Sequence, residues 1–227
     1  MAICSQEEQE HIEFFRDLFQ RYSPLIVSML VMLMLIFTGH YLFRWYHNKK
    51  DYQALSYYSL FQKSLRDNNL SQSRQALSYL QSNFSSSPYT YLSSLSFASE
   101  AVRDDKPGDA MSILSWVVRN GGQPWSTIAI LRVVPIAIDL GQYGKAKDFL
   151  SMSSLPEFKP LILMERGDVE SAMKNYSKAR DLYKSAIVLI SDRASVHNKS
   201  RGVHDAELQN TLIDLLEKRI RYVESVK

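Results

Sequence analysis

Four residues in the C-terminal third, Gly167, Ala179, Tyr183 and Ala186, are separated by 12, 4 and 3 positions. The same separations recur in Val134, Ala146, Leu150 and Ser153, and again in Ala98, Ala110, Leu114 and Val117. A degraded copy runs Phe61, Ser73, Leu77, Leu80. Corresponding positions 73, 110, 146 and 179 are offset by 37, 36 and 33. Steps of 3 and 4 follow one face of a helix. A step of 12 that breaks this phase carries the chain into the next helix. A small residue on each of two crossing helices lets their backbones approach. The pattern therefore predicts helix hairpins, with Gly167 facing Ala179 and Ala98 facing Ala110. Ala146 takes the same role in the third copy, and Tyr183 with Ala186 fills the gap to the next hairpin. An unrelated helical bundle with chance spacing is the competing reading, and three good copies near one period favour the array.

Turn chemistry agrees. "DLGQYGKAK" places Gly141 after one helix, where a left-handed cap is cheap. "DDKPGDA" and "RDNNLSQ" put breakers at the equivalent places, while position 174 holds Lys where glycine is common. The expected pairs are 51–66 with 70–84, 88–103 with 108–119, 125–140 with 144–153, and 158–173 with 176–191. A kink is expected at Pro135. Residues 192–204 read as a polar loop and 205–226 as a last helix. Its apolar stripe would be Leu208, Leu212, Leu215, Leu216, Ile220 and Val223, capping the open end. A repeat near this length matches tetratricopeptide-type hairpins, whose period is about 34 residues.

Pro24–Phe43, "PLIVSMLVMLMLIFTGHYLF", holds no Asp, Glu, Lys or Arg. At about 1.5 Å per residue its 20 residues would span ~30 Å, a hydrocarbon core. Tyr22, Tyr41, Trp45 and Tyr46 sit where interfacial aromatics belong. A cleaved signal peptide needs a basic start and a small-residue cleavage site; the preceding tail is acidic and "GHYLFRWY" offers no such site. The segment reads as an uncleaved single-span anchor in a lipid bilayer. Flanking charges, Arg16 and Arg21 against Arg44, Lys49 and Lys50, weakly favour a cytoplasmic C-terminal domain. The expected fold is thus all-α: a tail over 1–23, a transmembrane helix over 24–43, and a domain over 44–227. That domain is an α-solenoid of about four tetratricopeptide-like hairpins plus a capping helix.

Charge excludes some functions. Residues 1–23 carry Glu7, Glu8, Glu10, Glu13 and Asp17 against two arginines, and the whole chain is +3. Its basic residues are too diffuse for a nucleic-acid footprint. The lone Cys4 excludes a disulfide framework. No glycine-rich phosphate loop, H-E-x-x-H or G-x-S-x-G is present, and the five histidines are scattered, so no catalytic, metal or cofactor site is expected. Glu165 and Asp168, three apart on one predicted helix, read as a solvated face. The "RGD" of 166–168 falls inside the same helix, which argues against adhesion binding.

The acidic tail, one span, an early Trp45 and degenerate hairpins resemble the YfgM family, the ancillary subunit of the bacterial SecYEG translocon. The stretches that carry the resemblance are "AILRVVPIAIDLGQYGKAKDFLS" (129–151) and "ERGDVESAMKNYSKARDLYKSAI" (165–187). They are similar to the family's Leu-Arg helix followed by Gly-x-Tyr-x-x-Ala, and to its Arg-Gly-Asp…Ala…Tyr…Ala segment. "NGGQPW" at 120–125, Pro135 and the tail from 192 depart from it. The resemblance implies a single-pass inner-membrane protein with a cytoplasmic N-terminus and a periplasmic C-terminal domain. It also implies the SecYEG translocon, a membrane-anchored periplasmic prolyl-isomerase-type chaperone and exported polypeptides as partners.

In such arrays the first helix of each pair lines the concave face. Here that line holds Leu55, Tyr58, Gln62, Leu92, Leu95, Ser99, Ile128, Leu131, Met164 and Asp168. It is mostly apolar, so an apolar or amphipathic segment is the expected ligand, at roughly 25 cal/mol per Å² removed from water. Alternatively, these side chains fill the core. A scaffold for assembling an envelope complex and a cytoplasm-facing adaptor are the other functional readings.

Overall fold

The structure, a computed structural model, describes residues 28–39, 52–152, 154–196 and 203–226, with backbone only at 193–196 and 203–206. Two compact units are present, Met1–Gln53 and Ala54–Lys227. In the first, residues 28–39 form a helix whose side chains are all exposed. Among the described residues no helix is long and apolar enough to cross a membrane. The transmembrane helix expected over 24–43, the bilayer as a partner, and the single-pass inner-membrane placement are corrected accordingly. The rest of 24–43, the tail and Trp45 lie outside the described residues.

The second unit is helical throughout its described length. Helix α1 spans 52–66, α2 Leu70–Asn83, α3 Pro88–Arg103, α4 Pro107–Asn120, α5 Trp125–Asp139 and α6 Tyr143–Ser151. A 3-10 turn at Pro156–Phe158 leads into α7, Lys159–Ala172, then α8, Tyr176–Val196, and α9, Val203–Ser225. From α2 onward each helix packs on its successor, and α5 also reaches α7 across α6. Pro135 sits within α5, which runs on through it. Helix α8 continues to Val196, past the loop expected from 192; nothing in "DRASV" is a helix breaker. Residues 197–202 lie outside the described residues.

The repeat is written into the hairpin turns. Asn68, Asp105, Gly141 and Lys174 all have positive φ, from 51° to 68°. At each, the following residue donates its N–H back to the carbonyl five positions before the positive-φ residue's successor: Asn69 to Ser64, Lys106 to Ala101, Gln142 to Ala137, Asn175 to Glu170, at 2.7–2.8 Å. The positive-φ residue itself donates to Leu65, Val102, Ile138 and Ser171 respectively, at 2.9–3.1 Å. That pair of bonds is the Schellman motif, which satisfies the last carbonyls of the ending helix. The next helix then starts at once, with N–H bonds from Ser73, Ala110, Ala146 and Ala179 to carbonyls four residues earlier. The predicted small positions are thus the first-turn residues of the second helices.

All of them are buried: Ser73, Ala110, Ala146 and Ala179, with Phe61, Ala98, Val134 and Gly167 opposite. Leu77 with Leu80, Leu114 with Val117, and Tyr183 with Ala186 are buried as well; Ser153 lies outside the described residues. The main core joins α3 to α7 through residues such as Leu95, Leu114, Ile130 and Val133. A smaller core seats α9 on α8, with Leu216 and Val223 against Ala179, Tyr183, Ala186 and Ile190. The stripe on α9 is narrower than expected: Leu208 and Leu215 are exposed.

The Gly167 crossing holds a ring as well. A Cβ on Gly167 would lie 2.3 Å from Cε1 and 2.6 Å from Cδ1 of Tyr183. The space left by glycine is filled by that ring. Side chains on a helix lean toward its N-terminus, which carries the Tyr183 ring back over the crossing.

Candidate functional site

The predicted first-helix line divides by burial. Leu55 and Ser99 are exposed; Tyr58, Gln62, Leu92, Ile128, Leu131, Met164 and Asp168 are half-buried; Leu95 is buried. The Leu95 side chain belongs to the main core, and its carbonyl accepts from Ser99 Oγ at 3.1 Å and Arg132 Nη1 at 3.4 Å. At the α1 end, the Tyr58 ring lies 5.4 Å from that of Tyr89, and Gln62 Nε2 donates to the Tyr58 hydroxyl at 3.1 Å. Ile128 and Leu131 rest their inner sides on the main core, and Met164 on the α8–α9 core. Tyr89, absent from the predicted line, lies in α3's first turn and shares a helix face with Leu92 and Ser93.

Helix α7 carries the densest polar chemistry, and the reading of its carboxylates as a solvated face is corrected. Glu165 is only 6% exposed and Asp168 is half-buried; Glu170, outside that reading, is only 4% exposed. Ile162, Glu165 and Val169 follow helical spacing and are all buried. That spacing was the available signal, obscured by the charge on Glu165. The RGD tripeptide lies inside α7, as expected.

The two faces of α7 differ. On one, Glu170 accepts from Lys178 Nζ at 2.9 Å and Asn175 Nδ2 at 2.8 Å, with Lys147 Nζ at 3.1 Å. Burial alone would raise its carboxyl; the hydrogen bonds from Lys178, Asn175 and Lys147 outweigh it and bring it down to about 2. A cleft of about 270 Å³ beside it is lined by Lys147, Leu150, Arg166, Val169, Lys178 and Leu182. On the other face, Tyr183 Oη donates to Asp168 Oδ1 at 2.7 Å, and Arg219 of α9 pairs with Asp168 Oδ2. Burial lifts the Asp168 carboxyl, against the pull of Arg219 and Tyr183. Glu165 Oε2 is buried with no hydrogen-bond partner. Burial, then the Asp168 charge, raise the Glu165 carboxyl to about 7, with Arg219 opposing. A cleft of about 410 Å³ lies over this face, lined by Asp168, Ser171, Tyr183, Lys218, Arg219 and Tyr222.

Among the described residues no group of three or more His, Cys, Asp or Glu is arranged to hold a metal. The small repeat-packing residues Ala98, Ala110, Ala146, Gly167, Ala179 and Ala186 are interior and present nothing to a ligand. What the outer surface offers is half-exposed apolar and aromatic side chains along first helices, with polar clefts flanking α7.

No curated protein matches the chain. Residues 16–203 match the tetratricopeptide repeat-like domain family, a stretch that takes in all four hairpins and stops where α9 begins. With hairpins repeating every 33 to 37 residues, each closed by the same pair of turn hydrogen bonds, the chain belongs to the tetratricopeptide repeat-like domain family.

Proposed function

We propose that residues 44–227 form a binding domain that takes an apolar or amphipathic segment of a partner polypeptide along its first-helix face. Membership of the family makes the chain a protein–protein interaction scaffold, a fold that typically does no catalysis. The observation that carries the finer reading is the half-exposure of Tyr58, Leu92, Ile128, Leu131 and Met164, on α1, α3, α5 and α7. Each keeps one side on the core and one side free for a ligand. Their charge-free run from Tyr58 to Leu131 suits a segment held by area removed from water rather than by ion pairing. Incorporating a photo-crosslinker at Tyr58 and at Leu131 tests it. Adducts there, and not at the exposed controls Ser82 and Lys145, are expected; adducts at the controls alone would sink the groove.

The stretches 129–151 and 165–187 favour particular partners through their resemblance to the YfgM family: the SecYEG translocon, a prolyl-isomerase-type folding factor, and exported polypeptides in transit between them. Purification of the crosslinked adducts with identification of the attached chain checks this. Recovery of unrelated proteins at Tyr58 and Leu131 would leave the binding face standing and remove the Sec assignment.

A further inference from the structure

Helix α9 begins where the family match ends and closes the array. A closing helix needs one apolar face for the array, and its outer side is ordinarily polar. Helix α9 has the inner face, in Leu216 and Val223 with Ile213 and Ile220 beside them. It also carries a second apolar line. Leu208, Leu215 and Tyr222 are 54%, 38% and 60% exposed, and Val226, just past the helix, is exposed too. The first three are spaced by seven residues. A step of seven returns to within about 20° of the same side of a helix, so the three form one edge beside the buried stripe. Single exposed leucines are ordinary; three apolar side chains in register over about 21 Å of helix are a patch.

The surroundings of this line select its occupant. The cleft of about 410 Å³ at Tyr183, Arg219 and Tyr222 opens onto its C-terminal end. The charges at the cleft are matched within the chain, Arg219 by Asp168 and Lys218 by Asp214, so what it offers is room for an apolar side chain beside Tyr222. Charge is also graded along α9: Glu207, Asp214 and Glu217 precede Lys218, Arg219 and Arg221. At 100° per residue, Glu207, Asp214, Lys218 and Arg221 fall on the solvent side of the line, and all four are exposed. The pairs Asp214 with Lys218 and Glu217 with Arg221 lie within one helix and in water, so they hold these charges only weakly. A second α9 running antiparallel fits this edge. With Leu215 on the two-fold axis, Leu208 and Tyr222 lie seven residues to either side. Leu208 of each copy then enters the cleft beside Tyr222 of the other. Asp214 comes within two residues of the other copy's Lys218, and Glu207 within two of its Arg221. A parallel pair would set acid on acid and base on base.

We propose that α9 is a self-association surface: two copies of this chain pair through the Leu208, Leu215 and Tyr222 edges of their α9 helices, antiparallel about Leu215. The same patch serves both copies, so the assembly closes at two. A single helix edge buries less than the roughly 800 Å² per partner of a standard interface, so the pairing is weak and concentration-dependent. The inner face of α9 stays on α8 throughout. The first-helix face from Tyr58 to Met164 lies on other helices, so ligand capture there and pairing here stand or fall separately.

Sedimentation velocity and crosslinking with a short bis-maleimide test the pairing on the full chain. The crosslinking uses a Cys4→Ser background, since Cys4 is the chain's only cysteine. The sedimenting species should shift from one copy to two as concentration rises. Leu215→Glu, which sets two carboxylates together on the axis, should weaken that shift by more than about tenfold. Lys145→Glu, exposed on α6, should leave it unchanged. Leu215→Cys should crosslink to its own counterpart. Leu208→Cys and Tyr222→Cys lie about 21 Å from their own counterparts, so each alone should stay uncrosslinked, and the two should join when mixed. A chain that stays single at every concentration overturns the proposal and leaves the line to a different polypeptide. Association that persists unchanged in Leu215→Glu overturns it by placing the contact elsewhere. Leu208→Cys crosslinking to itself overturns the antiparallel arrangement.

Discussion

The first hairpin and the last solve the same crossing with opposite distributions of bulk. In α1 and α2, a fully buried Phe61 stands on the first helix and Ser73 on the second. Ser73 Oγ lies 2.9 Å from Ser64 Oγ, which donates to the Phe61 carbonyl at 2.8 Å. In α7 and α8, Gly167 contributes nothing and Tyr183, one turn beyond Ala179, supplies the ring. The comparison teaches that the crossing conserves volume, not residue identity: the bulk may come from either helix if the other yields. The accompanying polarity differs too. Hydroxyls are the buried polar groups of α1 to α3, while α7 buries two glutamates.

If volume is what counts, the largest effects come from removing either ring. Phe61→Ala and Tyr183→Ala should each cost about 4 kcal/mol in denaturant unfolding, from lost burial plus a cavity. Tyr183→Ala should be the worse of the two, since it also strips a hydrogen bond from Asp168. Refilling from the other side sharpens the test. Gly167→Ala alone should cost about 3 kcal/mol, because its Cβ meets three ring atoms within 2.9 Å. In a Tyr183→Leu background the same substitution should cost under about 1 kcal/mol, a coupling typical of residues in direct contact. Additive costs would mean that the two positions do not share one space.

The polarity difference predicts a pH profile belonging to the last hairpin. Glu165, raised to about 7, favours the folded state when protonated; that contribution is lost as pH climbs from about 4.5 to 7. Glu170, lowered to about 2, does the reverse: its contribution is present above the ordinary carboxyl range and lost as pH falls from about 4.5 toward 2. Stability measured by urea titration should therefore peak near pH 5 and drop by about 2 kcal/mol toward pH 7. Glu165→Gln should flatten the neutral limb and Glu170→Gln the acid limb. A single optimum at neutral pH in the unsubstituted protein would contradict both assignments.

How much of this was legible follows the range of the interactions. Hairpin boundaries were readable because breakers and periodicity are local: α3 spans Pro88–Arg103, as its pattern implies, and Gly141 takes the left-handed turn. The apolar run of 24–43 was read as a span from composition alone, which says what a segment can bury; among the described residues no helix is long and apolar enough to cross a membrane. The end of α8 was misread for a related reason, since polar residues such as Asp192 make a poor core without breaking a helix. The α7 carboxylates were missed because charge suggested solvent. Their neighbours explain the burial, and Arg219 lies 51 residues away, beyond any local pattern. Whether each member of the expected first-helix line faces core or solvent was not readable, since it depends on the next hairpin, which buried Leu95 and left Leu92 half-open.

The smallest expected effect lies in the turns, where both hairpins use the same left-handed position with different residues. Asn68 and Lys174 have φ of 51° and 64°. Asparagine accepts this region more readily than other L-residues, whereas a lysine there bears about 1 kcal/mol of strain against its own carbonyl. Lys174 is exposed, so nothing its side chain gains from packing offsets the strain. Lys174→Gly should therefore stabilise the protein by up to about 0.6 kcal/mol, the strain relieved less the added freedom of the unfolded chain. Asn68→Gly should change stability by only a few tenths. The turn hydrogen bonds are backbone to backbone and survive both substitutions, so the difference between the two values isolates strain. Equal gains at 68 and 174 would show that residue type is immaterial at these turns, and that the motif's bonds rather than its dihedral set the repeat.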